Sequence, residues 1–443
     1  MATAVILKKA GSPEGRRTLA YGALLLFSFI YYARPEDFIP GLDIIPLGKI
    51  SGGIALLALI FGVMGKRTGG KIPTEVKVLL LLLGQMILTV PFSVWRGGAF
   101  NTVFQKFSKG VIVVLLIGMI VGALSELRRL LWTQAAAVAL VTVISVLIHH
   151  SVAGRLSGIQ KGILENPNDL AINIAINFPL CLAFMLGTRG RVKKAVWGLG
   201  LVFMIYAVVH TYSRSGLLAL IMSGLMCLWE FGVKGRRLSL LIITGMVFIV
   251  SAGVALSTPH ELGKPDFTKR MQSLVQGNIA GSGDRGSLEA RRELLKESIT
   301  IALQHPLFGV GPGMFPVITN EWLVAHNTYT ELAAEAGLPA LALFLLALGG
   351  AFRNLRRVRK SPSYDRDKEL QLWTGALWAS LAGYLVGAMF ASTEYNLFPY
   401  FMIAYTCSLY RIAYTPGTSV NQPENGVNFQ NDGADRKQLA WAR

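Results

Sequence analysis

The chain has 443 residues, of which 52% are hydrophobic and only 15% are charged, and its formal net charge is +18. This balance is the reverse of that in a soluble globular protein, so we interpret the chain as an integral membrane protein. The positive charge does not indicate nucleic-acid binding, because the basic residues lie in short segments between apolar runs, as expected for membrane orientation.

The apolar runs predict an all-α polytopic membrane protein with about twelve transmembrane helices. A helix needs roughly 20 residues to cross the hydrocarbon core. We place nine helices within residues 19–257 and three within residues 326–414. The predicted spans are 19–33, 44–64, 76–95, 110–124, 130–149, 170–186, 195–210, 215–231, 238–257, 329–350, 372–390 and 397–411.

Both ends of the chain are expected in the cytoplasm. Residues 1–18 carry four basic side chains, and residues 415–443 are rich in Asn, Gly, Asp and Gln, which is typical of a disordered tail. The first apolar run has no small-residue cleavage site, so we expect it to stay in the protein. The three cysteines, Cys181, Cys227 and Cys407, lie inside apolar runs without disulfide or zinc spacing and are expected to be small core residues.

With the N-terminus inside, alternation across twelve spans places the long polar segment 258–325 on the outer side. Within it, Ser287 to Gln304 is predicted to form an amphipathic helix that ends before Pro306. The apolar stripe predicted for this helix consists of Leu288, Leu295, Ile299 and Ala302.

His326 is the candidate general base, because it opens the tenth predicted span at the outer surface. A histidine near its ordinary pKa of about 6.5 is able to accept a proton from a hydroxyl group at neutral pH. The alternative is an interfacial histidine that hydrogen-bonds a carbonyl group.

Arginines near the outer surface are candidate ligands for phosphate groups. Arg214 opens the eighth predicted span, and Arg291 and Arg292 flank the apolar stripe of the amphipathic helix. A planar guanidinium group suits a pyrophosphate, since it donates two hydrogen bonds at once. The alternatives are a headgroup contact for Arg214 and ion pairs with Glu289 or Glu293 for the other two.

Glu36 and Asp37 lie in the first outer loop, where either carboxylate is an alternative base. We find no convincing metal-binding cluster on the outer side, and we expect no cofactor.

Four motifs together resemble those of the O-antigen ligase and polymerase superfamily of membrane glycosyltransferases. The motifs are Asn166-Pro167-Asn168-Asp169, Ser213-Arg214-Ser215-Gly216, the segment from His305 to Gly313, and His326-Asn327 followed by Gly337. The chain departs from the family pattern after Gly337, because it has Ala340 where the pattern has a second glycine.

The resemblance implies that His326 is the essential histidine and that Arg214 and Arg291 bind the pyrophosphate of a lipid carrier. It further implies an inverting, metal-independent transfer from undecaprenyl pyrophosphate to an acceptor hydroxyl at the periplasmic face of a bacterial inner membrane. The acceptor would be lipid A-core, another lipid or a protein. Two alternatives stay open: a polysaccharide polymerase of the same superfamily, and a transporter of lipid-linked sugar. A transporter should have paired halves with broken helices.

Overall fold

The computed structural model describes residues 13–37, 39, 41–42, 44–65, 73–148, 151–152, 154–158, 165–235, 282–319 and 323–415. The regular secondary structure of these residues is helical, apart from one antiparallel pair of two-residue strands, β1 and β2. The elements are α1 Pro13–Ala33, α2 Leu47–Gly65, α3 Thr74–Thr89, α4 Arg96–Ile120, α5 Leu124–Ile148, β1 Ser151–Val152, β2 Arg155–Leu156, α6 Pro167–Gly187, α7 Arg191–His210, α8 Arg214–Val233, α9 Ser282–Gln304, α10 Phe315–Ile318, α11 Thr328–Val358, α12 Lys368–Ala388 and α13 Phe398–Tyr414.

Seven helices in the described ranges are long and apolar enough to cross a membrane, namely α3 with its 3-10 extension, α4 to α8, and α11. Helices α1 and α2 contain shorter apolar segments. The fold class, an all-α polytopic membrane protein, is therefore confirmed. The number twelve stays a prediction, and the predicted span 238–257 lies outside the described residues.

Helix α6 lies at the centre of the bundle, and nearly all of its apolar window is buried. It packs against α5, α7, α8 and α12. Small residues permit the close approach of α8, since a Cβ atom at Gly216 would lie 2.2 Å from the Ala171 Cβ atom. The cysteines Cys181, Cys227 and Cys407 are all buried and free, as the sequence predicted.

The two ends of the bundle differ in their polar contacts. Helices α3 and α11 are antiparallel, because Glu75 near the start of α3 contacts Arg353 near the end of α11 at 3.5 Å. The Arg128–Glu369 and Arg359–Glu230 ion pairs lie at this same end, at 3.2 and 2.8 Å. The start of α11, with His326 beside it, is at the other end, which we call the site end.

Helix α11 is broken at Gly337, where the backbone has φ 86° and ψ 167°. The predicted span 329–350 lies within this element, and the break divides it into two segments. Pro339 explains part of the break, because it has no N–H to donate to the carbonyl of Glu335. The break separates a short first segment, 328–336, from a long second segment, 338–358. The first segment follows His326 directly.

Candidate active site at one end of the helix bundle

His326 lies in the turn that precedes α11. It has a left-handed backbone conformation, with φ 53°, which is uncommon for a residue other than glycine although histidine is among the side chains that tolerate it. Asn327 then caps the helix, since its Oδ1 atom accepts hydrogen bonds from Tyr329 N at 3.0 Å and Thr330 N at 3.2 Å. The His-Asn pair therefore builds a sharp turn with the imidazole at its corner.

The turn is attached to the loop that joins α12 and α13. The backbone N–H and the hydroxyl group of Thr328 both donate to the Ala391 carbonyl, at 2.9 and 2.7 Å. Glu331, one turn further along, accepts a hydrogen bond from Ala325 N at 2.9 Å and another from the Ser392 hydroxyl. His326 thus lies between two backbone positions that are each fixed by a buried hydrogen bond.

Helix α9 packs along the first segment of α11. The predicted end of this helix, at Gln304, is confirmed. The predicted apolar stripe is partly wrong, because Ile299 is 43% exposed and the side chain of Leu288 lies outside the described residues. The packed face is shifted by one position along the helix and consists of Leu294, Ser298, Ile301 and Ala302.

This shift separates the two neighbouring arginines. Arg291 is half-buried, because it lies one turn before Leu294 on the packed face, whereas Arg292 is exposed. Leu294 packs in one cluster with Ala325, so the middle of α9 lies beside the His326 turn. Arg291 is consequently the arginine that faces His326.

The environment lowers the pKa of His326 from its ordinary value to about 4. Burial is the larger cause, because it disfavours the charged imidazolium, and repulsion by the Arg291 guanidinium is the second. The expectation of a pKa near 6.5 was therefore wrong. In this state the imidazole is neutral throughout the physiological range.

Arg214 is the first residue of α8 and also lies at the site end. Ser213 caps this helix, accepting a hydrogen bond from Gly216 N at 3.2 Å. The loop before it is tied to the neighbouring elements through Arg155, which donates to the Thr211 carbonyl at 2.8 Å and to Asn168 Oδ1 at 2.9 Å. The motifs that open α6 and α8 therefore pack side by side.

Glu36 follows α1 in a short 3-10 turn, Pro35–Asp37, and also lies near the site end. Its Oε1 atom is 4.0 Å from Arg34, and its Oε2 atom is buried without a hydrogen-bond partner among the described residues. The side chain of Asp37 lies outside the described residues. The alternative bases therefore stay a prediction.

The glycine-rich turn between α9 and α11 is held by the broken helix. Val310 N and Gly311 N donate to the carbonyls of Ala334 and Glu335, at 2.9 and 2.8 Å. The Glu335 carboxylate accepts from Gly313 N at 2.7 Å and Phe315 N at 3.0 Å. Because its backbone N–H groups are used in this way, the turn is a structural partner of α11 and is not a phosphate-binding loop.

Residues 199–345 match the sequence profile of the O-antigen ligase family. This segment belongs to the O-antigen ligase family. It contains Arg214, Arg291 and His326, whereas Glu36 and Asp37 lie outside the matched range. No curated protein matches the chain.

Three buried carboxylates were missed from the sequence, and two of them lie in the O-antigen ligase segment. Glu331, Glu335 and Glu394 are at most 3% exposed. Burial raises the pKa of Glu394 well above its ordinary value, and the charges of the other two raise it further. A signal was available, because Glu331 and Glu335 are acidic residues inside a predicted span, where ionisable side chains are rare and functional.

The described residues contain no group of three or more His, Cys, Asp or Glu side chains arranged to hold a metal ion. The candidate site brings together an imidazole, two guanidinium groups and buried carboxylates at the site end of the bundle.

Proposed function

We propose that the protein is a glycosyltransferase of the O-antigen ligase type, which moves a glycan from undecaprenyl pyrophosphate to an acceptor hydroxyl group. One observation carries the proposal: the half-buried guanidinium group of Arg291 is close enough to the imidazole of His326 to lower its pKa, and both residues belong to the family-matched segment. This pair supplies a proton acceptor beside an anion-binding group.

In the proposed reaction, the acceptor oxygen attacks the anomeric carbon of the glycan from the face opposite the pyrophosphate. His326 accepts the proton of the attacking hydroxyl as the new C–O bond forms. The bond between the anomeric carbon and the phosphate oxygen breaks, and its electron pair leaves with undecaprenyl pyrophosphate. A single displacement of this kind inverts the anomeric centre, and His326 later releases its proton to water.

Arg291 and Arg214 would bind the departing pyrophosphate from two different helices, α9 and α8. A guanidinium group offers paired donors to phosphate oxygens and stays charged at any physiological pH. Charge that develops on the leaving group is then stabilised by groups already in place, and such stabilisation is generally among the largest contributions to catalysis.

The position of Arg291 gives the donor a second role. In the free protein, Arg291 opposes protonation of His326 and so weakens it as a base. A pyrophosphate paired with Arg291 would cancel that repulsion and place negative charge nearby, which raises the pKa of His326. The base therefore becomes effective only when the donor is bound, which disfavours proton abstraction from an acceptor when no donor is present.

We place the site end at the periplasmic face of a bacterial inner membrane, with membrane lipids around the helices. Support comes from the opposite end, where Arg128, Arg353 and Arg359 lie and where the positive-inside rule expects the cytoplasm. Nucleotides are not available outside, so a donor that carries its own leaving group suits this location.

The test is a reconstituted reaction in liposomes with purified protein, a defined glycan on undecaprenyl pyrophosphate, and three acceptors: lipid A-core, another lipid and a peptide. Mass spectrometry should detect one acceptor carrying the glycan, together with free undecaprenyl pyrophosphate. Longer carrier-linked chains with no acceptor product would identify a polymerase. Movement of the donor across the bilayer without a new glycosidic bond would contradict the proposal.

A further inference from the structure

Glu331 is a buried carboxylate in the first turn of α11, directly after the turn that carries His326. It is 3% exposed and accepts hydrogen bonds from Ala325 N, at 2.9 Å, and from the Ser392 hydroxyl. Ala325 immediately precedes His326, and Ser392 belongs to the α12–α13 loop. The carboxylate therefore joins three parts of the chain beside the imidazole.

The turn at His326 needs such an anchor. Its left-handed backbone conformation is strained for a residue other than glycine and persists only where the surroundings hold it. On the downstream side, Asn327 caps α11 and Thr328 binds the Ala391 carbonyl. On the upstream side, the hydrogen bond from Ala325 to Glu331 fixes the backbone.

We propose that Glu331 is a positioning residue for His326, an inference that rests on the proposed function. Its carboxylate holds the upstream half of the turn, so that the imidazole stays oriented toward the acceptor while the backbone conformation is maintained. It acts through the backbone of Ala325 and does not touch the substrate. What the position requires is an acceptor oxygen at the correct distance, and a negative charge is not required.

Two substitutions separate reach from charge. In Glu331→Gln the length of the side chain is kept, and its amide oxygen is able to accept both hydrogen bonds without a charge. In Glu331→Asp the charge is kept, but the side chain is one methylene shorter and no longer reaches Ala325 N. Positioning predicts that the Gln variant retains most of the activity and that the Asp variant loses it. A chemical role for the charge predicts the opposite order.

The matched control is the same pair of substitutions at Glu75, which is 4% exposed and lies at the other end of the bundle beside Arg353. Each variant is measured for kcat, for the KM of the lipid-linked donor and for the temperature of unfolding in detergent. We expect Glu331→Asp to lower kcat by about 10²-fold, since small misplacements of a catalytic group have effects of this size. The donor KM should stay within about twofold, because both arginines remain.

The kcat of Glu331→Gln should stay within about threefold of the wild-type value. Both Glu75 variants should have the wild-type kcat. The inference is overturned if Glu331→Asp has the wild-type kcat, if Gln is as impaired as Asp, or if the Glu75 variants lose kcat equally. If Glu331→Asp does not fold, the Gln variant decides alone, since its substantial inactivity would contradict a role based on reach. Failure of the proposed function is distinguishable, because the wild type itself would then form no glycosidic product.

Discussion

The Ser298 hydroxyl donates a hydrogen bond of 2.9 Å to the Thr330 hydroxyl, and this contact joins the buried face of α9 to the first segment of α11. Leu294 of α9 and Ala325, which lies just before α11, belong to the same buried cluster. The register of these two helices places Arg291, and not Arg292, next to His326. It explains why two adjacent arginines are expected to behave differently.

We expect Arg291→Ala to reduce the rate of transfer by about 10²- to 10³-fold, by comparison with the removal of one donor that stabilises a developing charge. Arg292→Ala is the matched control, because this residue is exposed and should leave the rate unchanged. The measurement is the steady-state rate with the lipid-linked donor. Equal effects of both substitutions would contradict the assigned register.

The same pair of variants tests the electrostatic coupling. Arg291 is the second cause of the low pKa of His326, so its removal should raise that pKa and move the acid limb of kcat/KM to higher pH. Arg292→Ala should leave the limb in place. An unchanged limb in Arg291→Ala would show that burial alone sets the pKa.

The pH dependence of kcat and kcat/KM in the wild type follows from the protonation state of His326, because only the neutral imidazole can accept a proton. In the free protein the pKa is about 4, so kcat/KM should be constant near neutral pH and should fall only as pH drops through about 4. In the donor complex, pairing of Arg291 with phosphate raises the pKa, so kcat should begin to fall at a higher pH. Acid limbs at the same pH for both quantities would contradict activation by the donor. The charged group that acts on His326 in the free protein is Arg291 on α9.

Gly337→Ala should destabilise the protein strongly. The backbone there has φ 86°, and a Cβ atom would lie 2.4 Å from the Leu307 carbonyl oxygen. Strain of this type costs of the order of 1–3 kcal/mol before the clash is added. The control on the same helix is Gly349→Ala, where a Cβ atom meets nothing within 4 Å and the change should be neutral or stabilising by roughly 0.5–1 kcal/mol. The measurement is the unfolding temperature of the two variants in detergent. Equal unfolding temperatures would show that the chain does not require glycine at position 337.

The orientation is tested with single cysteines at exposed positions near the two ends. The native cysteines are buried, so they should react slowly. Gln304→Cys should react with a membrane-impermeant thiol reagent in intact spheroplasts, whereas Asp365→Cys should react only after permeabilisation. Both native side chains are exposed, so a cysteine at either position should be accessible to the reagent. The reverse pattern would place the site in the cytoplasm and exclude the proposed donor.

The sequence was sufficient for features that depend on composition and local pattern. Apolar runs located the helices, and the Ser213, Asn166 and Asn327 motifs are helix starts whose side chains accept hydrogen bonds from the following backbone. The role of His326 as a base stays a prediction, made because a histidine at a span boundary is a candidate base in its own right.

Features that depend on packing were not predictable in this way. The predicted apolar stripe of α9 differs by one position from the face that is buried. Leucines occur on adjacent faces of this helix, and only its contact with α11 decides which face is buried. The pKa of His326 depends on a residue 35 positions earlier in the chain, Arg291. The break at Gly337 was indicated by Gly-x-Pro, but apolarity continues through it and concealed the interruption.

The most direct test of the central claim is the rate of glycosidic bond formation by His326→Asn under single-turnover conditions with saturating donor. Asparagine tolerates the left-handed backbone of this turn, so the variant removes the base while the conformation is kept. We predict normal binding of the lipid-linked donor and a rate of transfer about 10²- to 10⁴-fold below that of the wild type. A folded His326→Asn protein that transfers glycan at the wild-type rate would contradict the assignment of His326 as the base.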